Sequence, residues 1–326
     1  MLIDNFNRIH NYLRVSLTDK CNLNCFYCNP SGNGSLHKAN EILTYEELLQ
    51  ILVNLTKLGI RKIRFTGGEP LVRKDIGLFF GLLANNGNFA NTTFGITTNG
   101  ILLDNFLNEL KSSKINNINI SLDSLEKEKF KQITGSDMLP KVLSNIDLIL
   151  NQGFANVKIN VVAAKNVNDD EILEFVKFAT DRQINLRFIE YMPFSNNDWN
   201  DVQFISAKEI TDIISSKYKL QIINKENSIT NDYLLKDGKT IISTISPISD
   251  HFCSSCNRLR LSAKGKLQLC LFSDSNSSLD LKRLMELNEL QIQEKLNEFL
   301  IKKQFAHPDV KELIQLSNSN MLSIGG

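Results

Sequence analysis

The sequence predicts an α/β fold: a partial parallel (β/α)6 barrel of the TIM-barrel type, followed by a smaller C-terminal α+β domain. An apolar, β-branched run followed by a helical pattern recurs six times before about residue 200. This alternation indicates parallel strands joined by right-handed crossovers. No Gly-x-Gly-x-x-Gly follows the first run, which disfavours a doubly wound nucleotide-binding fold. The alternation ends near residue 200, where the smaller part of the chain is expected to begin.

Six strands are predicted from short runs rich in Val, Ile, Phe and Thr. They cover residues 13–17, 62–66, 93–97, 117–122, 156–163 and 185–191. Parallel barrels carry their chemistry at the carboxyl ends of the strands. Residues that directly follow the first four strands are therefore expected to meet at one rim.

The best-marked helix is predicted over residues 45–58. Thr44 stands three residues before Glu47, which is the pattern of a capping box. Apolar residues follow at helical spacing, and Gly59 closes the segment at a plausible position after the last turn. Further helices are predicted over 101–113, 140–151 and 170–181.

The domain boundary is predicted at residue 230, which gives a barrel over 1–230 and a second domain over 231–326. A polar stretch marks the region in which the barrel pattern ends: Asn196, Asn197, Asp198, Asn200 and Asp201.

Composition limits the partners and the compartment. The chain has 37 Lys+Arg against 36 Asp+Glu, so no strong field favours nucleic acid or a membrane surface as a partner. No apolar run approaches the roughly 20 residues that span a bilayer, and the N-terminus lacks a secretory pattern. We expect a cytoplasmic protein, where clustered thiols more often bind metal than form disulfides.

All six cysteines fall into two triads, and each triad is one ligand short of a closed metal site. The triads are Cys21, Cys25 and Cys28, and Cys253, Cys256 and Cys270. Three thiolates on a four-iron cluster leave one iron open to a small molecule. The alternative for the first triad is structural zinc, which takes four ligands from paired Cys-x2-Cys elements. Only Cys25 and Cys28 have that spacing there, so iron–sulfur ligation is favoured.

The segment Cys21-Asn-Leu-Asn-Cys25-Phe-Tyr27-Cys28 resembles the signature of the radical S-adenosylmethionine superfamily. The resemblance implies that the open iron of a [4Fe–4S] cluster binds S-adenosylmethionine, whose reductive cleavage releases a 5′-deoxyadenosyl radical. It further implies S-adenosylmethionine contacts from Tyr27, Gly67, Gly68, Glu69, Ser121 and Met192, with Asp123 near the ribose.

The element Gly67-Gly68-Glu69-Pro70 is interpretable in physical terms. Two glycines allow the backbone to approach a bound ammonium group, and Glu69 offers an acceptor. The alternative is an ordinary Gly-Gly-Pro turn, which the neighbouring cysteine triad disfavours.

Residues 253–272 resemble the GTP 3′,8-cyclase family of molybdenum cofactor biosynthesis. The resemblance implies that Cys253, Cys256 and Cys270 hold a second [4Fe–4S] cluster that binds guanine. Arg258 and Arg260 alternate on one side of an extended segment, where their planar donors suit phosphate. A solvated basic strand is the alternative.

The same resemblance implies that Arg14, Arg64, Thr97 and Lys158 hold the GTP triphosphate and ribose. Charges that face into a barrel are costly unless they meet an anion, although each could also lie exposed on a half-covered strand. The family's C-terminal diglycine, here Gly325-Gly326, is thought to reach toward the active site. Residues 29–32, Asn-Pro-Ser-Gly, depart from the Met-Pro and acidic residues common in the family.

The predicted function is radical cyclisation of GTP, with Cys21, Cys25, Cys28, Arg258 and Arg260 as the catalytic set. The resemblance implies removal of the ribose C3′ hydrogen and bonding of that carbon to guanine C8. Implied partners are GTP, an electron donor and a downstream cyclic pyranopterin monophosphate synthase, and a homodimer is left open. The alternatives are a peptide-maturing two-cluster radical enzyme, and a non-enzymatic electron carrier or zinc-stapled binding protein.

Overall fold

A twelve-stranded sheet forms the frame of the molecule. The structure is a computed structural model, and it describes the chain apart from residues 31, 33–36, 155, 195–196, 224–228, 274–276, 316–320 and 325–326. The strands are β1 (Tyr12–Ser16), β2 (Lys62–Thr66), β3 (Thr93–Thr98), β4 (Asn117–Ser121), β5 (Asn156–Ala163), β6 (Asn185–Glu190), β7 (Leu220–Ile222), β8 (Asn231–Leu235), β9 (Ile241–Ile245), β10 (Arg258–Leu261), β11 (Lys266–Gln268) and β12 (Leu279–Asp280).

Helices connect the strands and cover the apolar face of the sheet. Those in the described ranges are α1 (Tyr45–Lys57), α2 (Ile76–Ala84), α3 (Leu107–Ser112), α4 (Lys127–Thr134), α5 (Leu139–Asn151), α6 (Ile172–Arg182), α7 (Ala207–Ser215), α8 (Glu289–Leu300), α9 (Val310–Gln315) and α10 (Met321–Ile324). None of these helices combines the length and apolar character needed to cross a bilayer.

The sheet is open and mostly parallel, which confirms the predicted fold class. Its strand order is β12-β11-β10-β1-β2-β3-β4-β5-β6-β9-β8-β7. Every pair from β10 through β9 is parallel, and the antiparallel pairs lie at the two edges. The six predicted strands are all present, with ends shifted by no more than one residue.

Helix α1 begins where the sequence predicts. The Thr44 hydroxyl accepts from the Glu47 amide, and the Glu47 carboxylate accepts from the Thr44 amide, so the capping box is formed. Between β1 and β6, two of the described helices were not predicted. Helix α2 is apolar on nearly all sides, and without a polar face it shows no helical period. Helix α4 is eight residues long, which is too short to show a clear helical period in the sequence.

Alternation along the strands separates the core from the interior of the barrel. On β5, Val157, Ile159 and Val161 are buried in the main hydrophobic core, whereas Lys158 and Asn160 line a cavity on the other face. The other parallel barrel strands follow this rule, because successive side chains of a strand point to opposite faces. The inner face of the sheet is therefore polar, and this polar face forms the site.

The C-terminal part of the chain flanks the barrel on both sides rather than standing apart from it. Strand β9 extends the sheet beyond β6, and β10 extends it beyond β1. Strands β7 and β8 lie on either side of the predicted boundary at residue 230, yet they pair with each other. The sheet is therefore continuous across residue 230. The domain boundary at that residue stays a prediction.

Candidate functional site

One cavity of about 510 Å³ opens on the polar face of the sheet and joins distant parts of the chain. It brings the first cysteine triad to one set of walls and the Arg258-x-Arg260 strand to another. The sequence-predicted residues that line it are Arg14, Cys21, Cys25, Tyr27, Cys28, Arg64, Gly67, Gly68, Thr97, Ser121, Asp123, Lys158, Met192, Arg258 and Arg260. Glu69 and the second cysteine triad are not among its lining residues.

The first triad projects from a tight loop that follows β1. The amides of Cys28 and Asn29 both donate to the Cys25 carbonyl, at 3.0 and 2.8 Å. The Leu23 amide donates to the Cys21 sulfur at 3.4 Å. These bonds fold the loop back on itself, so that three thiols spread over eight residues face the same cavity.

Without metal, the thiols of this loop are protonated at neutral pH. Burial raises the pKa of Cys21 to about 11. Burial, with Cys21 and Asp123 nearby, raises that of Cys28 to about 12. Burial first, and then Asp123 and the other two thiols, likewise raise the Cys25 pKa well above its usual range. Thiolates are the metal-binding form, so assembly of a cluster here releases protons.

Neither triad has the geometry of a single zinc ion. Zn–S bonds of about 2.3 Å at tetrahedral angles place sulfurs about 3.8 Å apart. Across the described ranges, the one group of three potential ligands whose atoms lie within 4.8 Å of one another is Glu126, Glu171 and Glu174. Neither cysteine triad meets that limit, so the described thiols do not form a closed zinc site.

Gly67 and Gly68 are required by the close approach of β2 to the segment that leads to Cys21. A Cβ on Gly67 would lie 2.4 Å from the Thr18 carbonyl oxygen, and one on Gly68 would lie 2.3 Å from that of Lys20. Gly67 also has a φ of +150°, a conformation that side chains disfavour. The two glycines therefore set the position of the triad loop.

Glu69 lies behind the cavity wall rather than on it. Its carboxylate accepts from the amides of Leu71 at 3.0 Å and Asn99 at 2.7 Å, and from the Thr98 hydroxyl at 2.8 Å. Burial raises the Glu69 pKa to about 7, against the effect of these bonds. The Glu69 carboxylate thus links the glycine turn to the end of β3 through hydrogen bonds. The contact between Glu69 and S-adenosylmethionine stays a prediction.

Tyr27 and Asp123 connect the triad loop to the end of β4. The Tyr27 hydroxyl donates to an Asp123 carboxylate oxygen at 2.5 Å, and the other oxygen accepts from the Val162 amide at 2.8 Å. Burial raises the Asp123 pKa to about 6. The Tyr27 carbonyl, expected to contact adenine, accepts from the Asn197 side chain at 3.1 Å.

The second triad lies on two loops of the C-terminal part. Cys253 and Cys256 share a single turn, closed by the Cys256 amide on the Cys253 carbonyl at 3.2 Å. Cys270 follows β11, and its amide donates to the Ser273 hydroxyl at 3.0 Å. Cys270 packs against a small apolar cluster with Met192, just beyond β6. The triad therefore adjoins the rim of the barrel.

Strand register places the basic side chains in rows. Arg14 on β1 lies between Arg260 on β10 and Arg64 on β2. One step nearer the start of the strands, Tyr12 lies between Arg258 and Lys62. Because all these positions face the same side of the sheet, their charges share the cavity.

The cavity is strongly cationic. Its lining includes seven basic side chains: Arg14, Lys62, Arg64, Lys158, Arg187, Arg258 and Arg260. Burial and the neighbouring arginines lower the pKa of Arg187 to about 10 and that of Lys158 to about 8. Cations that destabilise one another in this way are stabilised by a polyanion.

Several buried polar atoms of the lining have no hydrogen-bond partner in the described part of the chain. They are Nε of Arg187, Nε of Arg258, Oγ1 of Thr97 and Oδ1 of Asn160. Buried polar groups are normally satisfied, so a ligand rich in oxygen and nitrogen fits this face. Arg64 is already partly used, since its Nη1 donates to the Ile96 carbonyl at 2.7 Å.

Sequence reasoning missed Lys62, Arg187 and Glu190. Arg187 alternates with buried Leu186 and Phe188, a period-two signal that could have identified it as facing the cavity. Glu190 is fully buried and accepts from the amides of Ile248 and Ser249, both at 3.0 Å. It thereby fixes the segment that leads to Cys253. Gly325, Gly326 and Ser31 lie outside the described residues.

Two family models match consecutive parts of the chain. The model described as "Radical SAM superfamily" matches residues 15–179. The one described as "Molybdenum Cofactor Synthesis C" matches residues 184–309. The division between them falls just before β6, so the second model includes the last barrel strand.

Curated relatives match over most or all of the chain. The GTP 3′,8-cyclase of Thermodesulfovibrio yellowstonii is 44% identical over 86% of this chain and 87% of its own. That of Alkaliphilus oremlandii is 38% identical over 99% of both. Molybdenum cofactor biosynthesis protein 1 of Dictyostelium discoideum is 40% identical over the full chain, which spans about half (52%) of that relative's length.

Solved structures agree on the fold. Streptococcus suis SuiB bound to S-adenosylmethionine matches with a TM-score of 0.63 at 14% identity, covering 90% of this chain and 68% of SuiB. SuiB bound to its precursor peptide SuiA gives 0.65 at 14% identity, over 91% and 67%. The sequence and family matches confirm the resemblance on which the sequence prediction depends.

Proposed function

Because the chain belongs to the GTP 3′,8-cyclase family of the radical S-adenosylmethionine superfamily, we propose that it converts GTP into (8S)-3′,8-cyclo-7,8-dihydroguanosine 5′-triphosphate. This reaction is the first step of molybdenum cofactor biosynthesis. Superfamily membership implies a [4Fe–4S] cluster and S-adenosylmethionine. The observation that carries the proposal is the single cavity that joins the first cysteine triad to a strongly cationic wall.

Cys21, Cys25 and Cys28 would hold the first cluster, beside Gly67, Gly68, Ser121 and Met192 as the S-adenosylmethionine contacts. Bound there, the cluster and S-adenosylmethionine supply the 5′-deoxyadenosyl radical that removes the ribose C3′ hydrogen. The protein contributes position, because the Gly67-Gly68 turn and the Tyr27–Asp123 bond fix the loop that carries the ligands.

The second triad would hold a second [4Fe–4S] cluster, on which the guanine ring binds. Arg258 and Arg260 leave the same turn as Cys256 and enter the cavity along β10. They can therefore bind phosphate while the base lies against the cluster. We assign the remaining triphosphate and ribose contacts to Arg14, Arg64, Thr97 and Lys158, and add Lys62 and Arg187 from their place in the cavity.

The proposed reaction balances as an isomerisation of GTP. One hydrogen atom leaves C3′, the carbon bonds to C8, and one electron and one proton complete the product. Cleavage of S-adenosylmethionine takes a further electron, so an electron donor is a required partner. A cyclic pyranopterin monophosphate synthase would consume the product.

Metal content and turnover test the proposal against its rivals. After anaerobic reconstitution, we expect about eight irons per chain, since each triad serves one four-iron cluster. Stoichiometric zinc without iron would support a zinc-stapled binding protein. Incubation with GTP, S-adenosylmethionine and reductant should yield a nucleotide with the mass of GTP and a different chromatographic retention. Cleavage of S-adenosylmethionine that leaves GTP unchanged would favour a peptide-maturing enzyme.

A further inference from the structure

Two buried cations from opposite ends of the chain contact the backbone of the loops that carry the second cysteine triad. Arg8 precedes β1, and Lys303 follows α8, and the two residues are 8% and 6% exposed. A buried charge is costly unless polar partners or an opposite charge compensate it. Neither residue lines the cavity proposed for GTP, so the triphosphate does not account for their burial.

The Arg8 guanidinium joins the first loop of the triad to the C-terminal segment. Its Nη1 donates to the Cys253 carbonyl at 2.7 Å and to the Phe305 carbonyl at 2.8 Å. Its Nη2 donates to the Gln304 carbonyl at 2.8 Å. Its Nε donates to Asp4 at 2.6 Å, which fixes the plane of the fork. The bond to Cys253 is thus made by a side chain that is itself held in one orientation.

The Lys303 ammonium joins the other two parts of the triad. It donates to the Leu269 carbonyl, one residue before Cys270, and to the Arg258 carbonyl at 3.3 Å, two residues after Cys256. Both of these partners are carbonyl oxygens, so they leave the positive charge of Lys303 uncancelled. One ammonium group therefore sets the spacing between the two cysteine loops and adds a charge beside them.

We propose that Arg8 and Lys303 are positioning residues for the second cysteine triad, fixing its two loops and stabilising a negatively charged cluster between them. This inference rests on the proposed function, in which the triad holds a four-iron cluster. Three thiolates give such a cluster a net negative charge, and one-electron reduction makes that charge larger. Lys303, whose partners here are carbonyl oxygens, therefore stabilises the reduced form more than the oxidised form. The charge of Arg8 is paired with Asp4, so its contribution is to hold the loop in position.

The test isolates the second cluster and compares two neighbouring lysines. In a full-length chain with Cys21, Cys25 and Cys28 replaced by serine, iron content and the reduction potential are measured for Lys303→Met, Lys303→Arg and Lys302→Met. We expect Lys303→Met to lose iron and to shift the potential of the remaining cluster downward. Lys303→Arg should restore the potential toward that of the parent. Lys302 is exposed, so Lys302→Met should match the parent.

Unchanged iron and potential in Lys303→Met would overturn the role of Lys303. Arg8→Lys, in the otherwise native chain, covers the case in which Lys303→Met fails to fold. This substitution keeps the positive charge, but a lysine ammonium cannot hydrogen-bond to Asp4, Cys253 and the C-terminal carbonyls at the same time. We expect loss of about half the iron, with cleavage of S-adenosylmethionine retained. Full iron content, or equal loss from both clusters, would contradict the role of Arg8.

The wild-type iron count separates this inference from the proposed function. A wild-type chain with about four irons would refute the second cluster itself, whatever the variants show. A wild-type chain with about eight irons, together with unaffected variants, would refute the positioning roles alone.

Discussion

Arg14 on β1 and Arg260 on β10 are direct neighbours in a parallel pair of strands, although they come from opposite ends of the chain. Both line the cavity. Burial, and after it the neighbouring Arg258, brings the Arg260 pKa down to about 10. Burial, and after it Arg260 itself, lowers the Arg14 pKa well below its usual range. Two buried arginines held together in this way favour an anion beside them, and they support the proposed GTP site together with the rest of the cationic cavity.

Replacing Arg258 should weaken GTP binding more than S-adenosylmethionine binding. A hydrogen bond to a charged group contributes roughly 1.5–3 kcal/mol, so we expect Arg258→Ala to raise the GTP dissociation constant by about ten- to a hundredfold. Dissociation constants for both ligands are the measurement. Arg283→Ala, at a side chain that is 86% exposed, is the matched control. Equal weakening for both ligands would contradict the assigned role.

Removing one ligand of the second triad should separate the two clusters. We expect Cys270→Ser to lower iron from about eight to about four per chain. Cleavage of S-adenosylmethionine to 5′-deoxyadenosine should continue, while the cyclised nucleotide disappears. Iron analysis and chromatography of both products check this prediction. Loss of cleavage itself would show that the two triads do not have separate roles.

A methyl group at Gly68 should displace the first triad loop. The added Cβ would lie 2.3 Å from the Lys20 carbonyl oxygen, a contact that requires the backbone to shift. We expect Gly68→Ala to reduce cleavage of S-adenosylmethionine by at least tenfold. Gly81→Ala is the control, because its Cβ meets nothing within 4 Å and helix α2 should become slightly more stable. Similar activity in both variants would refute the close-approach account.

GTP binding should weaken as pH rises through neutrality, because of Tyr12. Burial alone raises the pKa of this phenol, but the neighbouring cations, Arg64 and Arg14 foremost, outweigh it and lower the pKa to about 7. Above that pH a tyrosinate occupies the cationic site and repels the triphosphate. Below it the phenol is neutral and the full positive charge is available to GTP.

The check is the GTP dissociation constant between pH 6 and 9 in the wild type and in Tyr12→Phe. We expect the variant to lose the weakening near pH 7 and to retain a weakening near pH 8. The latter comes from Lys158, whose pKa burial and Arg187 lower to about 8. Identical pH profiles for the two proteins would mean that Tyr12 does not titrate against GTP.

Local patterns in the sequence predicted the barrel well. The strand runs and the Thr44–Glu47 capping box are formed as expected, since each depends on residues close together in the chain. The pairing of β10 with β1 and of β9 with β6 was not predicted. Such pairing depends on packing between residues far apart in the chain. The sequences of β9 and β10 contain no local pattern that indicates which strand each one pairs with.

Site residues that belong to a recognisable sequence motif were predicted. Site residues that are defined only by their position on a strand were missed. Cys21, Cys25 and Cys28 belong to a recognisable spacing, and the structure brings them to one cavity. Arg187 belongs to no such motif. Its role depends on the face of β6 that it occupies, and that face is decided by the buried Leu186 and Phe188 beside it. Glu69 shows the converse, since its motif is recognisable but its oxygens bind the protein itself.

Transfer of a deuterium label from GTP tests the central claim most directly. GTP that carries deuterium at C3′ is incubated anaerobically with the protein, S-adenosylmethionine and reductant, and the 5′-deoxyadenosine is analysed by mass. Our account predicts that 5′-deoxyadenosine gains one mass unit and that the cyclised nucleotide loses the deuterium. Unlabelled 5′-deoxyadenosine alongside unchanged GTP would contradict it.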